Sequence, residues 1–569
     1  MSTIDWVILV LTLFSIVLYG VWKSRGTKNI HGFLLADKAL PWYHVDLSVM
    51  ATQASAITFL SAPGQAYSDG LRFVQFYFGL PLAMVVLCIT FIPIFQRLNV
   101  YTAYEYLEKR FDAKTRTLTA FLFLLQRGLS TGITIYAPAI VLSTILHVDI
   151  LYTILFNGFI VIGYTVYGGT KAVSYTQLFQ MSIIFSGLFL AAYMVIHLLP
   201  DKVGFLDALH IAGKMNKLNA IDTRFNLNNR YNLWSGIIGG FFLQLSYFGT
   251  DQSQVGRYLT GSSITQSRLG LIMNGLIKIP MQFFILLIGT LVFTFYQFNQ
   301  PPVFFNKVEV DKIENSPYKK DFEQLQNDYV MSQKEKLIRV NELVTAMHTD
   351  DVRAIDDLRG IIQDADKKSA GIRNQVVDLM KKNDAAADTN DTNYVFLIFV
   401  TEHLPVGIVG LLIAIIFLAA MGSTASGLNS LASTTVVDFY KRFSKKEVTE
   451  KRDLSASRWA TIAWGLFCIV VALYASKLGN LIEAVNILGS LFYGTILGIF
   501  LVAFFLKHVS GHAVFIAAIL AEGFIVYAWT TNMMAFLWLN VIGCMMVMFF
   551  ALMVQQLMNK QDPQHEQNS

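Results

Sequence analysis

The sequence predicts an all-α polytopic membrane protein. Of its 569 residues, 54% are hydrophobic and only 15% are charged, which leaves too little polar surface to cover the soluble domains that this length would allow. Apolar runs of about 17 residues or more recur along nearly the whole chain, and each is long enough to cross a bilayer as a helix. The composition therefore excludes a soluble multidomain enzyme.

Thirteen membrane spans are predicted. The first, residues 6–22, is followed by its positive charges, Lys23, Arg25 and Lys28, so we interpret it as a retained anchor with its N-terminus outside. The others are predicted at residues 40–65, 72–95, 117–147, 150–167, 172–198, 231–249, 270–297, 406–433, 457–476, 481–505, 513–530 and 535–556. Alternation then places the short basic connections and the C-terminal tail in the cytoplasm, in agreement with the positive-inside rule. We expect a multi-pass protein of the cell (inner or plasma) membrane, in contact with lipid.

Several other function classes are disfavoured by the residues themselves. The net charge of +5 is not concentrated in a basic domain, so we expect no nucleic-acid partner. Cys88, Cys468 and Cys544 lie inside apolar runs without CxxC spacing, which is typical of buried core residues rather than zinc ligands or disulfides. The sequence has no HExxH, GxSxG or P-loop motif, so an enzyme is not expected.

Residues 300–400, between the eighth and ninth predicted spans, form a much longer connection than the others. They are rich in charge, carry apolar residues at helical spacing and end in the loose stretch AAADTNDTN. We predict a helical hairpin outside the membrane, more typical of a solvated cap than of a partner-binding element, and the sequence identifies no protein partner for it. A short linker in place of residues of about 303–391 is expected to leave the rest of the protein folded.

Two spans are polar and interrupted, which indicates a pathway, because a membrane helix can lose backbone hydrogen bonds only where protein or a cavity replaces them. In the second span, the polar cluster is followed by a Pro-Gly pair; its members are Thr52, Gln53, Ser55, Thr58 and Ser61. The seventh span ends in LQLSYFGTDQSQ and is broken at Gly249. The two spans lie five apart, as corresponding members of two inverted five-helix repeats would, and such broken helices form the midplane site of many secondary transporters.

The ninth span carries a face of small hydroxyl residues. Ser423, Ser426, Ser430 and Ser433 recur at three or four residues and so share one side of the helix. Such a face serves either close helix packing or cation binding. Both interpretations remain open from the residues alone.

Six segments together resemble the sodium/solute symporter family, which includes carriers of glucose, iodide, monocarboxylates, proline and sialic acid. They are QAYSDGLRF, RLNVYTAYEYLEKRFD, ITIYAPAIVL, YTVYGGTKAVSYTQLFQ, YFGTDQSQVGRYLT and STASGLNSLASTTVVDFYK. The resemblance implies a LeuT-type 5+5 inverted repeat with one extra N-terminal and two extra C-terminal helices. The implied domains are the extra helix (1–30), the first repeat (40–198), the second repeat (231–505, interrupted by 300–400), and the last two helices with the cytoplasmic tail (506–569).

The resemblance also implies a sodium site between the second and ninth spans. Its oxygens would come from the carbonyls of Ala51, Ala54 and Ala419 and from hydroxyls at positions 422 and 423. Position 422 is glycine here, so Ser423 would supply one hydroxyl and Thr424 or Ser426 would have to supply another. A second sodium site of some members uses an Asp where this chain has Gln177, so one sodium per solute is expected.

Candidate solute-binding residues come from the polar second span and from the resemblance: Gln53, Ser55, Thr58, Tyr77, Gln244, Lys278 and Asn486, with Tyr247 as the aromatic that closes the inner side. Arg127 lies within an otherwise apolar span, where it either extends its charge toward the cytoplasmic interface or reaches the cavity. No Asp or Glu in the neighbouring segments is an evident partner for it. If Arg127 reaches the cavity, the missing anion would be the solute, bound through two parallel hydrogen bonds.

The expected function is therefore sodium-coupled import of a small polar solute by alternating access. A sugar, an acidic sugar and an organic acid all remain open. The alternative is a membrane solute sensor that uses the same fold without transport.

Overall fold

The structure, a computed structural model, describes residues 1–24, 40–98, 100–385, 387–443 and 450–561. Within these ranges the chain is helical, and its one isolated β-bridge joins Leu40 to Gly261. In chain order the α-helices are α1 (Thr3–Ser24), α2 (Trp42–Gln53), α3 (Ala56–Asp69), α4 (Leu80–Ile89), α5 (Phe91–Leu98), α6 (Glu105–Arg110), α7 (Ala113–Leu146), α8 (Ile150–His197), α9 (Phe205–Lys214), α10 (Gly240–Thr250), α11 (Gln252–Tyr258), α12 (Ile264–Phe298), α13 (Lys307–Glu314), α14 (Lys319–His348), α15 (Val352–Asn383), α16 (Val395–His403), α17 (Ile408–Thr434), α18 (Lys441–Phe443), α19 (Glu450–Ala472), α20 (Leu481–Phe505), α21 (Gly511–Thr530) and α22 (Phe536–Gln561). Single turns of 3₁₀ or π helix connect some of them, among them the 3₁₀ segment Gly70–Tyr77.

Nine helical stretches of the described residues are long and apolar enough to cross a membrane. They are Ala56–Leu98, Ala113–Leu146, Tyr175–His197, Ile264–Phe298, Ile408–Tyr440, Arg452–Ala472, Leu481–Phe505, Gly511–Thr530 and Phe536–Asn559. Two shorter apolar helices are Thr3–Ile16 and Ile150–Val166. The chain is thus all-α with multiple apolar helices, while thirteen crossings and the orientation of the termini remain predictions. Residues 25–30, the basic stretch 444–449 and the tail 562–569, to which some of these predictions refer, lie outside the described residues.

Helix α8 contains two antiparallel halves. Its 48 residues would extend about 72 Å if straight, far more than a bilayer requires. The hydroxyls of Tyr164 and Thr176, twelve residues apart, lie 3.2 Å from each other, although a straight helix would separate these residues by about 18 Å along its axis. The chain therefore reverses direction between them, as the two separate predicted spans require.

The outer half of the broken second span, α3, is packed tightly from two sides. A Cβ at Gly289 of α12 would lie 2.2 Å from the carbonyl oxygen of Pro63, and a Cβ at Gly64 would lie 1.8 Å from the carbonyl oxygen of Thr392. Only glycine permits backbones to approach this closely. Helix α3 is thus held between α12 and the segment that follows the inserted hairpin.

Residues 319–383 form the helical hairpin that the sequence predicts. Its helices, α14 and α15, bury their apolar faces against each other, with Leu343 and Ile362 almost fully buried. Lys336 and Asp366 form an ion pair across the hairpin at 2.7 Å. The hairpin therefore has a small core of its own, and we refer to the end of the molecule that carries it as the hairpin side.

The segment after the hairpin, residues 387–394, is fastened to the membrane helices. Asp391 accepts two hydrogen bonds from Arg373 of α15, at 2.7 and 2.8 Å, and one from the backbone N–H of Phe305 at 2.8 Å. Asn393 donates to the carbonyl of Gly479 at 3.2 Å and accepts from the N–H of Leu481 at 3.3 Å. This segment belongs to the packed body of the protein, and the hairpin is joined to that body through Arg373 and through the packing of Tyr329 and Val376 near Val303.

Replacing residues 319–383 with a short Gly/Ser linker also removes Arg373, so the deletion is combined with Asp391→Asn to avoid a buried carboxylate without its cation. This narrow deletion is expected to leave a folded protein that retains the sodium-dependent uptake predicted from the sequence. The wider replacement of residues 303–391 would also remove Phe305 and Asp391, which are buried against the membrane helices, and should reduce membrane expression. Measuring expression and sodium-dependent uptake of both deletions checks this. Loss of uptake in the narrow deletion at normal expression would mean that the hairpin takes part in transport.

Candidate functional site

The interruption of the second span leaves two backbone carbonyls without their helical hydrogen bonds. Helix α2 ends at Gln53 and α3 begins at Ala56. The N–H of Ser55 donates to the carbonyl of Gln53 at 3.0 Å, and that of Thr58 donates to the carbonyl of Ser55 at 2.9 Å. The carbonyls of Ala51 and Ala54 therefore do not receive the i+4 bonds that an uninterrupted helix would give them. They are buried acceptors of the kind that a cation can satisfy.

Helix α17 brings further oxygens to this region. The hydroxyl of Ser423 donates to the carbonyl of Ala419 at 2.8 Å, so both oxygens lie on adjacent turns. One turn along the helix, the hydroxyls of Thr52 and Ser426 lie 3.2 Å apart and join α2 to α17 directly. A set of carbonyl and hydroxyl oxygens without a carboxylate suits a hard monovalent cation. Thr424 is buried but is not among the residues that line the cavity described below.

Gln177 of α8 links three helices as a neutral crosslink. Its Oε1 accepts from Ser48 at 2.7 Å, and its Nε2 donates to Ser426 at 3.1 Å and to Thr52 at 3.3 Å. The amide thus fills the place where the resemblance puts the Asp of a second sodium site. A Cβ at Gly422 would lie 2.7 Å from Oε1 of Gln180, so a serine at this position would have to displace that side chain.

A cavity of about 100 Å³ lies beside the helix break. Its walls contain every predicted solute-binding residue except Lys278, namely Gln53, Ser55, Thr58, Tyr77, Arg127, Gln244, Tyr247 and Asn486. Ser423, a predicted sodium ligand, lines the same cavity. Segments that are distant in sequence therefore converge on one small polar site, which we call the solute cavity.

Four polar residues of the solute cavity wall were not predicted from the sequence. Ser130, Thr131, Thr134 and Tyr493 also line the solute cavity. Arg127, Thr131 and Thr134 stand at i, i+4 and i+7 on α7, so they share one face of that helix. The spacing was a usable signal that this face is polar.

The solute cavity contains hydrogen-bonding groups that the protein leaves unused. Both polar side-chain atoms of Gln244, and Oε1 of Gln53, are buried and have no hydrogen-bond partner among the described residues. Buried polar groups are almost always hydrogen-bonded in folded proteins. These donors and acceptors are therefore available to a polar solute.

Lys278 is the one predicted solute-binding residue that does not line the cavity. It is fully buried, its Nζ has no hydrogen-bond partner among the described residues, and it lies 5.9 Å from the centre of the Tyr77 ring. Tyr77 lines the cavity, and Lys278 lies behind its ring.

Arg127 has a carboxylate partner in the protein, which sequence analysis did not find. Its Nη2 donates to Asp251 and, at 3.1 Å, to the hydroxyl of Tyr493, which itself donates to Asp251 at 2.9 Å. Helix α10 ends at Thr250, and Asp251 caps α11 by accepting from the N–H of Ser253. This helix break turns the Asp251 carboxylate toward α7.

Arg127 also lies too deep in its helix to extend its charge to the interface. By the rise of a helix it lies about 21 Å from the start of α7 at Ala113. Its side chain is 12% exposed and lines the solute cavity. Of the two alternatives for this residue, the structure favours the cavity.

Tyr247 and Tyr493 close the end of the solute cavity that lies away from the hairpin. Their ring centres are 5.8 Å apart, and the guanidinium of Arg127 lies 5.5 Å from the centre of the Tyr247 ring. Gln254 holds the Tyr247 hydroxyl with a 2.6 Å hydrogen bond. Beyond this layer is a smaller polar cavity, lined by Gln252, Ser253, Gly256, Arg257, Ser426, Asn429, Ser430 and Ser433. The serine face of α17 therefore extends from one cavity to the next.

Comparison with known proteins agrees with this architecture. Residues 33–308 and 375–521 match the sequence profile of the Sodium:solute symporter family, which leaves 309–374, inside the hairpin region, unmatched. The chain belongs to the sodium:solute symporter family. Proteins of this family are transporters rather than enzymes, and they use Na⁺. The chain is accordingly a multi-pass membrane protein.

Individual relatives carry different solutes. The chain is 33% identical to the human sodium/iodide cotransporter over 258 residues, which cover 45% of this chain but only 40% of that protein. It is 24% identical to the sodium/sialic acid symporter NanT of Aliivibrio fischeri over 96% of this chain and 92% of NanT. It is 33% identical to the human sodium-coupled monocarboxylate transporter 1 over 46% of this chain and 42% of that protein.

A solved structure supports the fold over the full length. The substrate-bound, outward-open structure of a Na⁺-coupled sialic acid symporter superposes with a TM-score of 0.74 and covers 98% of both chains at 22% identity. At this identity the likeness concerns the fold, and it confirms the LeuT-like architecture that the resemblance implied.

Proposed function

We propose that this protein is a sodium-coupled symporter that imports a small polar solute bearing a carboxylate. The hairpin side would face the outside. The observation that carries the proposal is that the Ser423 hydroxyl and the Arg127 guanidinium line one cavity, beside a helix break at which two backbone carbonyls lack their helical donors.

The sodium ion would be held by the carbonyls of Ala51, Ala54 and Ala419 and by the hydroxyl of Ser423. The two alanine carbonyls at the helix break lack their helical donors, which supports this assignment. Since Gln177 offers an amide where a second site would need an anion, we propose one sodium per solute. The ion would offset the loss of hydrogen bonds at the break and link α2 to α17.

The carboxylate would bind Arg127. Asp251 and Tyr493 engage Nη2, whereas Nε is buried and has no hydrogen-bond partner among the described residues. Asp251 is not part of the cavity wall, whereas Arg127 is. The guanidinium can therefore hold Asp251 on one side and an incoming carboxylate on the other, each through charge-assisted bonds worth about 1.5–3 kcal/mol.

Alternating access would use the layers at the two ends of the solute cavity. Tyr247, Tyr493 and the Arg127–Asp251 pair close the end away from the hairpin. Toward the hairpin, the buried rings of Phe73, Phe76 and Tyr231 pack together, with Phe73 5.5 Å from Phe76 and 5.3 Å from Tyr231. Opening one layer at a time would expose the cavity to one side of the membrane.

A neutral sugar is the second candidate. It is favoured by the Asp251 carboxylate, which already neutralises Arg127, and by the unused amides of Gln53 and Gln244, which suit hydroxyl groups. Among the relatives, those named for iodide, monocarboxylates and sialic acid support an anion. The sodium/glucose cotransporter of Vibrio parahaemolyticus, 24% identical over 93% of this chain, supports the sugar. The Arg127 guanidinium in the cavity wall favours the carboxylate.

Uptake into proteoliposomes tests the proposal. An inward sodium gradient is expected to drive accumulation of labelled propionate or sialic acid, and a potassium gradient is not. Unlabelled carboxylates should compete, while glucose should not. Sodium-driven uptake of glucose alone would overturn the carboxylate assignment, and solute binding without accumulation would indicate a sensor.

A further inference from the structure

A third cavity, larger than the other two, opens on the hairpin side of the solute cavity. Its volume is about 510 Å³, and we call it the vestibule. Three cationic side chains, Arg72, Lys217 and Arg230, line it, against a single carboxylate, Asp69. Amide side chains of the loop before α10 complete the polar wall. The vestibule is therefore positively charged and rich in hydrogen-bond donors.

The vestibule lies directly next to the solute cavity. The 3₁₀ segment Gly70–Tyr77 carries Arg72 into the vestibule wall and Tyr77 into the solute cavity. The start of α20 also joins the two cavities. Glu483 pairs with the vestibule residue Arg230 at 2.6 Å, and Asn486, less than one turn further along, lines the solute cavity. A solute entering from the hairpin side would pass the vestibule first.

Two of the three cations are not paired with a carboxylate. Arg230 is bonded to Glu483. Lys217 donates to the carbonyl of Ser68 and lies 4.6 Å from the centre of the Phe293 ring. The Arg72 guanidinium lines the vestibule without a hydrogen bond or ion pair to the described residues, and Asp69 is the carboxylate that shares this wall with both cations. Arg72 and Lys217 thus offer their charge to the vestibule.

We infer that Arg72 and Lys217 form a capture site that holds the carboxylate of the solute before it enters the solute cavity. This inference rests on the proposed function, because it assumes an anionic solute. A cationic cleft raises the local concentration of an anion and speeds its encounter, and the effect falls as salt screens the charges. The capture site should therefore lower the KM for the solute and leave kcat, the rate of the transport cycle at saturating solute, unchanged.

Kinetics of the double variant Arg72→Gln/Lys217→Gln in proteoliposomes test the inference, with propionate and sialic acid as labelled probes. The KM for the transported carboxylate is expected to rise about threefold to tenfold, with kcat within about twofold of the wild type. Raising ionic strength should increase the wild-type KM more than that of the variant. Arg72→Lys, which retains the charge, should remain close to wild type.

Arg224→Gln is the matched control. Arg224 lies on the same loop but is exposed, is paired with Asp222 at 3.0 Å and does not line the vestibule. Its replacement should leave KM unchanged. An unchanged KM in the double variant, or a fall in kcat at constant KM, would overturn the capture site. If the wild type itself takes up neither carboxylate, the proposed function fails, and the capture site fails with it.

Discussion

Asp251→Asn is expected to abolish most sodium-dependent uptake. The substitution removes the carboxylate that compensates the buried Arg127 guanidinium and leaves it with neutral partners, among them the Tyr493 hydroxyl. Removing one member of a buried ion pair typically costs about 3–5 kcal/mol, because the remaining charge is no longer compensated. Uptake per molecule in the membrane, together with the thermal stability of the purified protein, measures the effect.

Two further variants separate structural support from solute binding. The double variant Arg127→Gln/Asp251→Asn removes both charges and should recover stability but not uptake of a carboxylate. Arg127→Lys keeps a charge next to Asp251 and should fold, yet it should transport poorly because an ammonium cannot replace the planar guanidinium. Tyr493→Phe removes one hydrogen bond and serves as the mild comparison, at about 1 kcal/mol.

Normal uptake by Arg127→Lys would contradict a role of Arg127 in solute binding. Its pairing with Asp251 would then be purely structural, and the neutral-sugar alternative would gain support. If Asp251→Asn were as thermally stable as the wild type, the Arg127–Asp251 ion pair would not contribute to folding stability. The two outcomes are independent, since one concerns transport and the other concerns folding.

Ser423→Ala is expected to raise the sodium concentration for half-maximal uptake about tenfold or more. Loss of one ligand hydroxyl costs about 1–3 kcal/mol, and 1.4 kcal/mol is a factor of ten. The hydroxyl is buried, donates to the carbonyl of Ala419 and lines the solute cavity. Sodium titrations of uptake at saturating solute measure the change, with surface expression measured in parallel.

Ser430→Ala is the control for the sodium experiment. Ser430 lies on the same face of α17, but it lines the smaller cavity and donates to the carbonyl of Gly427 at 2.7 Å. Its replacement should leave the sodium dependence unchanged. Equal sodium dependence of Ser423→Ala and the wild type would remove Ser423 from the sodium site.

Much of the fold could be predicted because membrane spans are a local property. The transfer of an apolar run into the bilayer depends on the residues of that run alone, so the apolar runs were recognisable one by one. Polar residues inside such runs carry a cost, which is why the polar second span was recognisable as part of a pathway and the serine face of α17 as a surface for either helix packing or cation binding. The hairpin was predictable from the same helical periodicity in a charged context.

The placement of individual side chains was less predictable. Successive helical residues point about 100° apart, so the side that Lys278 presents depends on how α12 is rotated against its neighbours. For the same reason, the sequence showed that Ser130 and Thr134 are polar but not that their side chains point into the solute cavity. Gln177 was correctly noted as lacking a charge, yet its bonds to Ser48, Thr52 and Ser426 arise only from the packing of three helices.

The sequence by itself determined that this chain crosses a membrane as helices, that two of its spans are broken, and to which family it belongs. Only the tertiary structure decided that Arg127 pairs with Asp251, 124 residues away, and that Lys278 stays behind the cavity wall. The physical reason is that burial in lipid is a sum over neighbouring residues, whereas an ion pair or a cavity wall requires distant helices to meet at one rotation and depth.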